Sequence, residues 1–175
     1  MTSPAAVIVL AAGEGTRMKS TTPKVLHEIC GRALLGHVIT VAATCGAART
    51  VVVLGHQRER VATYLGDQYP EVVTTEQAEQ NGTGHAVRVT LEQLAQQGMP
   101  VTGGAVVVVS GDSPLLSAST LQLLLGEHDS AGAAVTVLSA VLPDATGYGR
   151  IVRDGAGLVS AIVEHKDADD AVRSI

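Results

Sequence analysis

Ala6-Val-Ile-Val-Leu10 runs without a break into Ala11-Ala-Gly-Glu-Gly-Thr-Arg-Met18. The first segment is apolar at every position and mostly β-branched, the pattern of a strand buried on both faces. The second is small and glycine-rich, which predicts a tight loop directly after that strand. Three comparable runs follow: Thr50–Leu54 (TVVVL), Glu71–Thr75 (EVVTT) and Ala105–Ser110 (AVVVVS). Between them apolar residues recur at helical spacing, as in Leu34, Val38, Val41 and Cys45, in Val87, Leu91, Leu94 and Ala95, and in Leu121, Leu124, Leu125 and His128. Ser117 and Ser119 are candidate N-caps for the last of these helices. Strand–helix alternation with strands apolar on both faces predicts an α/β fold, a mainly parallel sheet with helices on both faces.

After residue 132 the rhythm changes. Ala133–Leu142, Gly149–Arg153 and Leu158–Glu164 read as strands, with turns at Pro143–Gly147 and Asp154–Gly157. Lys166–Ile175 is helical in pattern and ends without a cap. Neither an internal repeat nor a linker interrupts the chain. One domain over residues 1–175 is expected, an α/β layer followed by β-rich material and incomplete at its C-terminal end.

Composition narrows the function. The 175 residues are 46% hydrophobic and 17% charged, enough to bury a core, and the net charge is -5. An acidic balance argues against a general nucleic-acid or anionic-membrane binder. With 3 Tyr and no Phe or Trp, almost nothing is left on which bases could stack, which argues against a single-strand binding platform. Cys30 and Cys45 do not form a C-x-x-C pair and cannot build a zinc site alone, so both are expected to be buried thiols in a reducing cytoplasm. No signal peptide or membrane-spanning run is evident, and a cytoplasmic location is expected.

The glycine-rich loop is the expected ligand site, because open α/β sheets bind ligands at the carboxyl ends of their strands. Leu10, Ala11, Ala12, Gly13 and Gly15 would let backbone N–H groups approach a phosphate closely. Arg17, Lys19 and Lys24 cluster positive charge beside it in an otherwise acidic chain. A plain glycine turn with a solvated basic rim is the competing reading. A dinucleotide fingerprint requires glycine where Met18 stands, which speaks against a dehydrogenase, and no Gly-Lys-Ser/Thr follows to make a P-loop.

Leu10–Met18 followed by Pro23-Lys24-Val25-Leu26-His27 resembles the signature of sugar-1-phosphate nucleotidylyltransferases. Gln77-Ala-Glu-Gln-Asn-Gly82-Thr83-Gly84-His85-Ala86, Gly111-Asp112-Ser113-Pro114-Leu115, Gly147-Tyr-Gly149-Arg-Ile151 and Ile162-Val-Glu164-His-Lys-Asp-Ala168 are similar, in order, to segments of the bacterial N-acetylglucosamine-1-phosphate uridylyltransferases. The chain departs from that pattern at Ser110, where Tyr is usual, and at Asn81, where Leu is usual. The resemblance implies a Rossmann-like nucleotide-diphospho-sugar transferase fold. It implies transfer of UMP from UTP to N-acetylglucosamine 1-phosphate, with Mg²⁺ as cofactor. A full-length protein of this kind adds a β-helical glucosamine-1-phosphate acetyltransferase domain, absent from these residues, and is expected as a homotrimer. The family's domain also extends beyond Ile175 with further sugar- and metal-binding residues.

Such a reaction is mostly positioning and charge stabilisation, so no nucleophilic side chain is required. The resemblance gives Arg17 the triphosphate and the leaving pyrophosphate, and Lys24 the α-phosphate and the sugar phosphate, as the catalytic pair. Asp112 would be repelled by a polyanion, by about 4 kcal/mol per charge at about 4 Å and an effective dielectric near 20, unless a cation lies between them. It is therefore assigned to the metal. Gln77, with an amide donor and acceptor, and the Gly82 and Thr83 backbone would read uracil. Gly149 and Glu164 would hold the sugar. His85 is expected in the first turn of a helix, without a chemical role, and Asp167, Asp169 and Asp170 as a solvated helix face. A nucleotidylyltransferase for another sugar or nucleotide, and a nucleotide-binding fragment without turnover, remain open.

Overall fold

A computed structural model describes residues 3–13, 15, 18–55 and 58–175. The chain divides into two compact units, Met1–Ala134 and Val135–Ile175. The first holds a parallel sheet of β1 (Ala6–Ala11), β4 (Thr50–Leu54), β5 (Val73–Glu76) and β6 (Val106–Ser110), in the order β5-β4-β1-β6. β1 pairs with β4 from Val7 opposite Thr50 to Ala11 opposite Leu54, and with β6 from Ala6 opposite Val106 to Leu10 opposite Ser110. The order reverses between β1 and β6, which is the switch point where an open α/β sheet binds ligands.

Alternation along β1 divides the core. Val7, Val9 and Ala11 face α1 (Leu34–Ala43), α2 (Arg58–Gln68) and α4 (Ala118–Ala131) through Leu35, Val38, Ala42, Val61, Leu65, Leu121 and Leu125. Ile8 and Ala12 face α3 (Thr83–Gln96) through Ala86, with Leu10, Val87 and Leu91 packed around them. Helices therefore cover both faces, as the apolar runs predicted. α4 is capped at Ser117, whose side chain accepts from the Thr120 backbone N–H at 3.1 Å. It ends at Gly132 in the left-handed conformation.

α3 is fastened to the edge strand β5 by polar side chains rather than by apolar packing alone. Gln93 accepts from the Glu76 backbone N–H at 2.9 Å and donates to the Glu76 carbonyl at 2.6 Å. One turn earlier, the hydroxyls of Thr75 and Thr90, both almost fully buried, bond each other at 3.0 Å.

Several expectations need correction. β5 begins at Val73, not Glu71, because Glu71 lies in the turn that leaves α2. α2 has a weak apolar stripe, with only Val61 and Leu65 buried, and carried no periodic signal. A short hairpin of β2 (Glu28–Ile29) and β3 (Arg32–Ala33) was not anticipated. Its turn holds Cys30 at φ 52°, exposed rather than buried, whereas Cys45 is buried and burial pushes its thiol up.

In the second unit β7 (Arg150–Arg153) and β8 (Val159–Val163) lie within two of the expected strands, slightly shorter than expected, and pair antiparallel. Ala133–Leu142 is not a strand. β-propensity does not by itself supply the neighbouring strand that a ladder needs, and among the described residues no strand pairs with this segment. The helix at the end is shorter than expected: α5 spans Asp170–Arg173, with Asp169 capping it by accepting from the Val172 N–H at 2.8 Å.

The Thr75–Thr90 bond makes a stability prediction. Thr90→Val should cost about 1–3 kcal/mol in urea unfolding, because it strands the Thr75 hydroxyl in the interior. The Thr75→Val/Thr90→Val double variant should recover much of that loss. A double variant at least as unstable as the sum of the singles would overturn this account.

Candidate functional site

The loop after β1 is held by close backbone contacts. Gly15 has φ +63°, and a Cβ there would lie 2.6 Å from the Lys24 Cβ, so only glycine lets the loop fold onto the Lys24 stem. Gly55, at the end of β4, plays the same part from the other side: a Cβ there would lie 2.6 Å from the Ala12 carbonyl. Ala11 and Ala12 are buried and Gly13 is exposed. Arg60 on α2 donates to the Thr21 carbonyl at 2.5 Å, tying down the approach to Lys24. Lys24 opens a short 3-10 turn, Lys24–Leu26, anchored by buried Val25. Arg17 lies outside the described residues.

A cleft of about 190 Å³ opens beside this loop, between Leu10, Ala12 and Gly13 on one side and Gln77, Gln80, Gly82 and Thr83 on the other, with Ala86 of α3. Pockets for a whole small-molecule ligand usually measure about 300–1,000 Å³, so this one is the size of a part of such a ligand. Gln77 follows β5 directly, and its backbone N–H continues the ladder to the Leu54 carbonyl at 2.8 Å. Its side chain is buried, and its Nε2 donates to the Gly82 carbonyl at 3.1 Å and meets His85 Nδ1 at 3.0 Å. Gly82, at φ 88°, precedes α3, so the first N–H groups of that helix begin at the cleft. Gln80 Nε2 donates to the Ala12 carbonyl at 2.9 Å and joins the β5–α3 loop to the β1 loop. Gln80 was not singled out from the sequence, and a contact that depends on the sheet order has no spacing signal.

Asp112 follows β6 across the switch point. Gly111 brings it there: the Gly111 N–H donates to the Leu10 carbonyl at 2.9 Å, and a Cβ would crowd that same oxygen. Lys24 Nζ and the Asp112 carboxylate form an ion pair in which both side chains keep partial exposure. Two residues expected to serve different ligands thus face each other. Burial alone would raise the Asp112 carboxyl, but hydrogen bonds from Lys24 and Ser110, with the Lys24 charge, hold it below the usual carboxylate value. Among the described residues no group of three or more His, Cys, Asp or Glu gathers to form a metal cluster.

Gly149 and Glu164 belong to the second unit. Gly149 packs beside β8, where a Cβ would lie 3.5 Å from the Val163 carbonyl, and Glu164 is exposed just past that strand. Arg150, almost fully buried, donates to the carbonyls of Ala145 at 2.8 Å and Tyr148 at 2.6 Å and fixes the loop around Gly149.

The ion pair gives a titration prediction. A depressed carboxyl contributes stability above the ordinary carboxylate range that fades as the pH falls through the folded value. Lys24→Met should therefore move the Asp112 carboxyl upward in a carbon-detected NMR titration of the metal-free protein. An unmoved titration would mean that the pair does not form in solution.

Comparisons with known proteins bear on the family and the fold. The chain is 61% identical over 173 residues to the bifunctional protein GlmU of Streptomyces avermitilis, an alignment that covers 98% of this chain and 35% of that protein. The chain thus spans about a third of the length of the curated relatives it matches. HddC from Yersinia pseudotuberculosis, solved with GMP-PN, is 20% identical and aligns with a TM-score of 0.61 over 91% of this chain and 69% of its own. Rv0371c from Mycobacterium tuberculosis H37Rv, solved with manganese, is 22% identical and aligns with a TM-score of 0.55 over 71% and 59%. Both share the fold. The model of the MobA-like NTP transferase domain matches residues 7–151, from β1 with its loop through Lys24, Gln77 and Asp112 to β7, and the chain belongs to that family.

Proposed function

We propose that the chain transfers UMP from UTP to N-acetylglucosamine 1-phosphate, giving UDP-N-acetylglucosamine and pyrophosphate for cell-wall precursors. The observation that carries this reading is the Gln77 carboxamide, fixed in the cleft beside the β1 loop with its NH₂ group engaged and its carbonyl oxygen unused among the described residues. That oxygen suits a base with a ring N–H donor, which uracil offers and cytosine does not at the same position. The likeness to a GlmU protein over 98% of the chain supports the sugar-nucleotide reaction as a whole. Residues 1–175 then form the uridylyltransferase domain of a longer cytoplasmic protein that also carries the acetyltransferase activity and assembles as a homotrimer.

A phosphate oxygen of the sugar attacks the α-phosphorus of UTP. A new P–O bond forms, and the bond to the bridging oxygen breaks with its electron pair leaving on pyrophosphate. The β1 loop, from Leu10 to Gly15, offers backbone N–H groups to the triphosphate, and Arg17 stabilises the charge on pyrophosphate. Lys24 exchanges its carboxylate partner for the phosphates. Asp112, released from that pair, is left to hold a cation. A single part-exposed carboxylate suits Mg²⁺, which takes few protein ligands and keeps phosphates and waters. Bound there, it would neutralise charge on the triphosphate. Gly149 and Glu164 orient the sugar through its amide and hydroxyl groups.

Two measurements test this. UTP with Mg²⁺ should raise the melting temperature more than CTP or GTP does, and equal shifts would remove the uridine assignment. Asp112→Asn and Lys24→Ala should each slow pyrophosphate release by about a hundredfold or more while leaving the melt of the free protein cooperative. An unchanged rate in Asp112→Asn would sink the metal assignment.

A further inference from the structure

We propose that His85 is a specificity-positioning residue: through Nδ1 it locks the Gln77 amide in the one orientation that presents a carbonyl oxygen, and not an NH₂ group, to the base. The inference rests on the proposed uridine site. A glutamine amide is nearly symmetric in shape, so by itself it reads a ring N–H or a ring acceptor equally well by flipping. A flip at Gln77 is opposed twice. Nε2 lies 3.1 Å from the Gly82 carbonyl, which can only accept, and 3.0 Å from His85 Nδ1. One NH₂ group has two hydrogens, and the two contacts use both.

The His85 contact decides how firm the lock is. With the ring proton on Nε2, Nδ1 is an acceptor, and flipping Gln77 would set its carbonyl oxygen against two acceptors at once. With the proton on Nδ1, the flipped amide would gain one bond and lose one, and the site would accept cytosine as readily as uracil. The position of His85 is itself fixed. It lies in the first turn of α3, two residues after Thr83, and the Gln93–Glu76 and Thr75–Thr90 contacts clamp that helix to the strand that carries Gln77. The donor and its two acceptors therefore belong to one strand–loop–helix unit, tied together by those contacts.

The test separates this inference from the reading on which it rests. Dissociation constants for UTP and CTP would be measured by calorimetry on the wild-type chain and on His85→Leu, His85→Asn and His85→Gln. Asparagine carries an acceptor at the place of Nδ1, and glutamine carries one at the place of Nε2. Wild type should prefer UTP, His85→Leu and His85→Gln should lose about tenfold of that preference, and His85→Asn should retain most of it. Nitrogen-15 NMR of the ligand-free protein should find the His85 proton on Nε2, a readout that needs neither a variant nor a nucleotide. A proton on Nδ1, or an undiminished UTP preference in His85→Leu, would overturn the role of His85 while leaving the uridine site standing. No UTP preference in wild type would overturn both.

Discussion

β1 is enclosed except near its carboxyl end, where Leu10 keeps partial exposure at the cleft. Ala6 through Val9 are fully buried, parallel neighbours bond both edges, and helices cover both faces. A strand enclosed in this way fixes where its carboxyl end emerges, and every described candidate residue of the first unit is placed relative to that end. Leu10 and Ala11 end the strand and Ala12 and Gly13 follow it, Asp112 follows the partner on one side, and Gln77 follows the strand beyond the partner on the other. The glycines at 15, 55 and 111 are the cost of bringing three strand ends this close, because each stands where a side chain would strike backbone or a neighbouring stem. Burial of apolar strand residues, a non-directional force, thus sets polar groups to within hydrogen-bonding distance.

The Lys24–Asp112 pair belongs to a different energetic regime. A part-exposed ion pair contributes little to stability, commonly about 0–1 kcal/mol. Its weakness is what the proposed exchange of partners on ligand binding would require. By contrast the polar contacts that hold α3 to β5 are buried or use backbone groups, and they resist exchange.

How much of this was legible follows from the range of each signal. AVIVL, TVVVL and AVVVVS announced their strands because strands apolar on both faces need no partner to be recognised. The glycine-rich loop was legible because its position after a strand is a local fact. α2 was not, since Val61 and Leu65 alone make no stripe. Ala133–Leu142 misled in the opposite direction: it has the composition of a strand, but a strand exists only where another backbone accepts its bonds. The pairing of Lys24 with Asp112, the reach of Gln80 to Ala12 and the contact of His85 with Gln77 all cross the sheet order or a loop. No spacing rule encodes them, so His85 read as an inert helix residue until the fold set it beside Gln77.

The Gln93 amide has a consequence outside the site. Among the described residues β5 is the last strand on its side of the sheet, and the outward peptide group of Glu76 would ordinarily offer a donor and an acceptor to any extended chain that came alongside. Gln93 takes both positions, as the backbone of one further residue would. A foreign strand would have to displace an intramolecular partner before it could bond there. The same side chain that steadies α3 thereby works as a stopper against edge-to-edge aggregation, at a margin that carries neither a proline nor a lysine among Val73–Glu76 to do so.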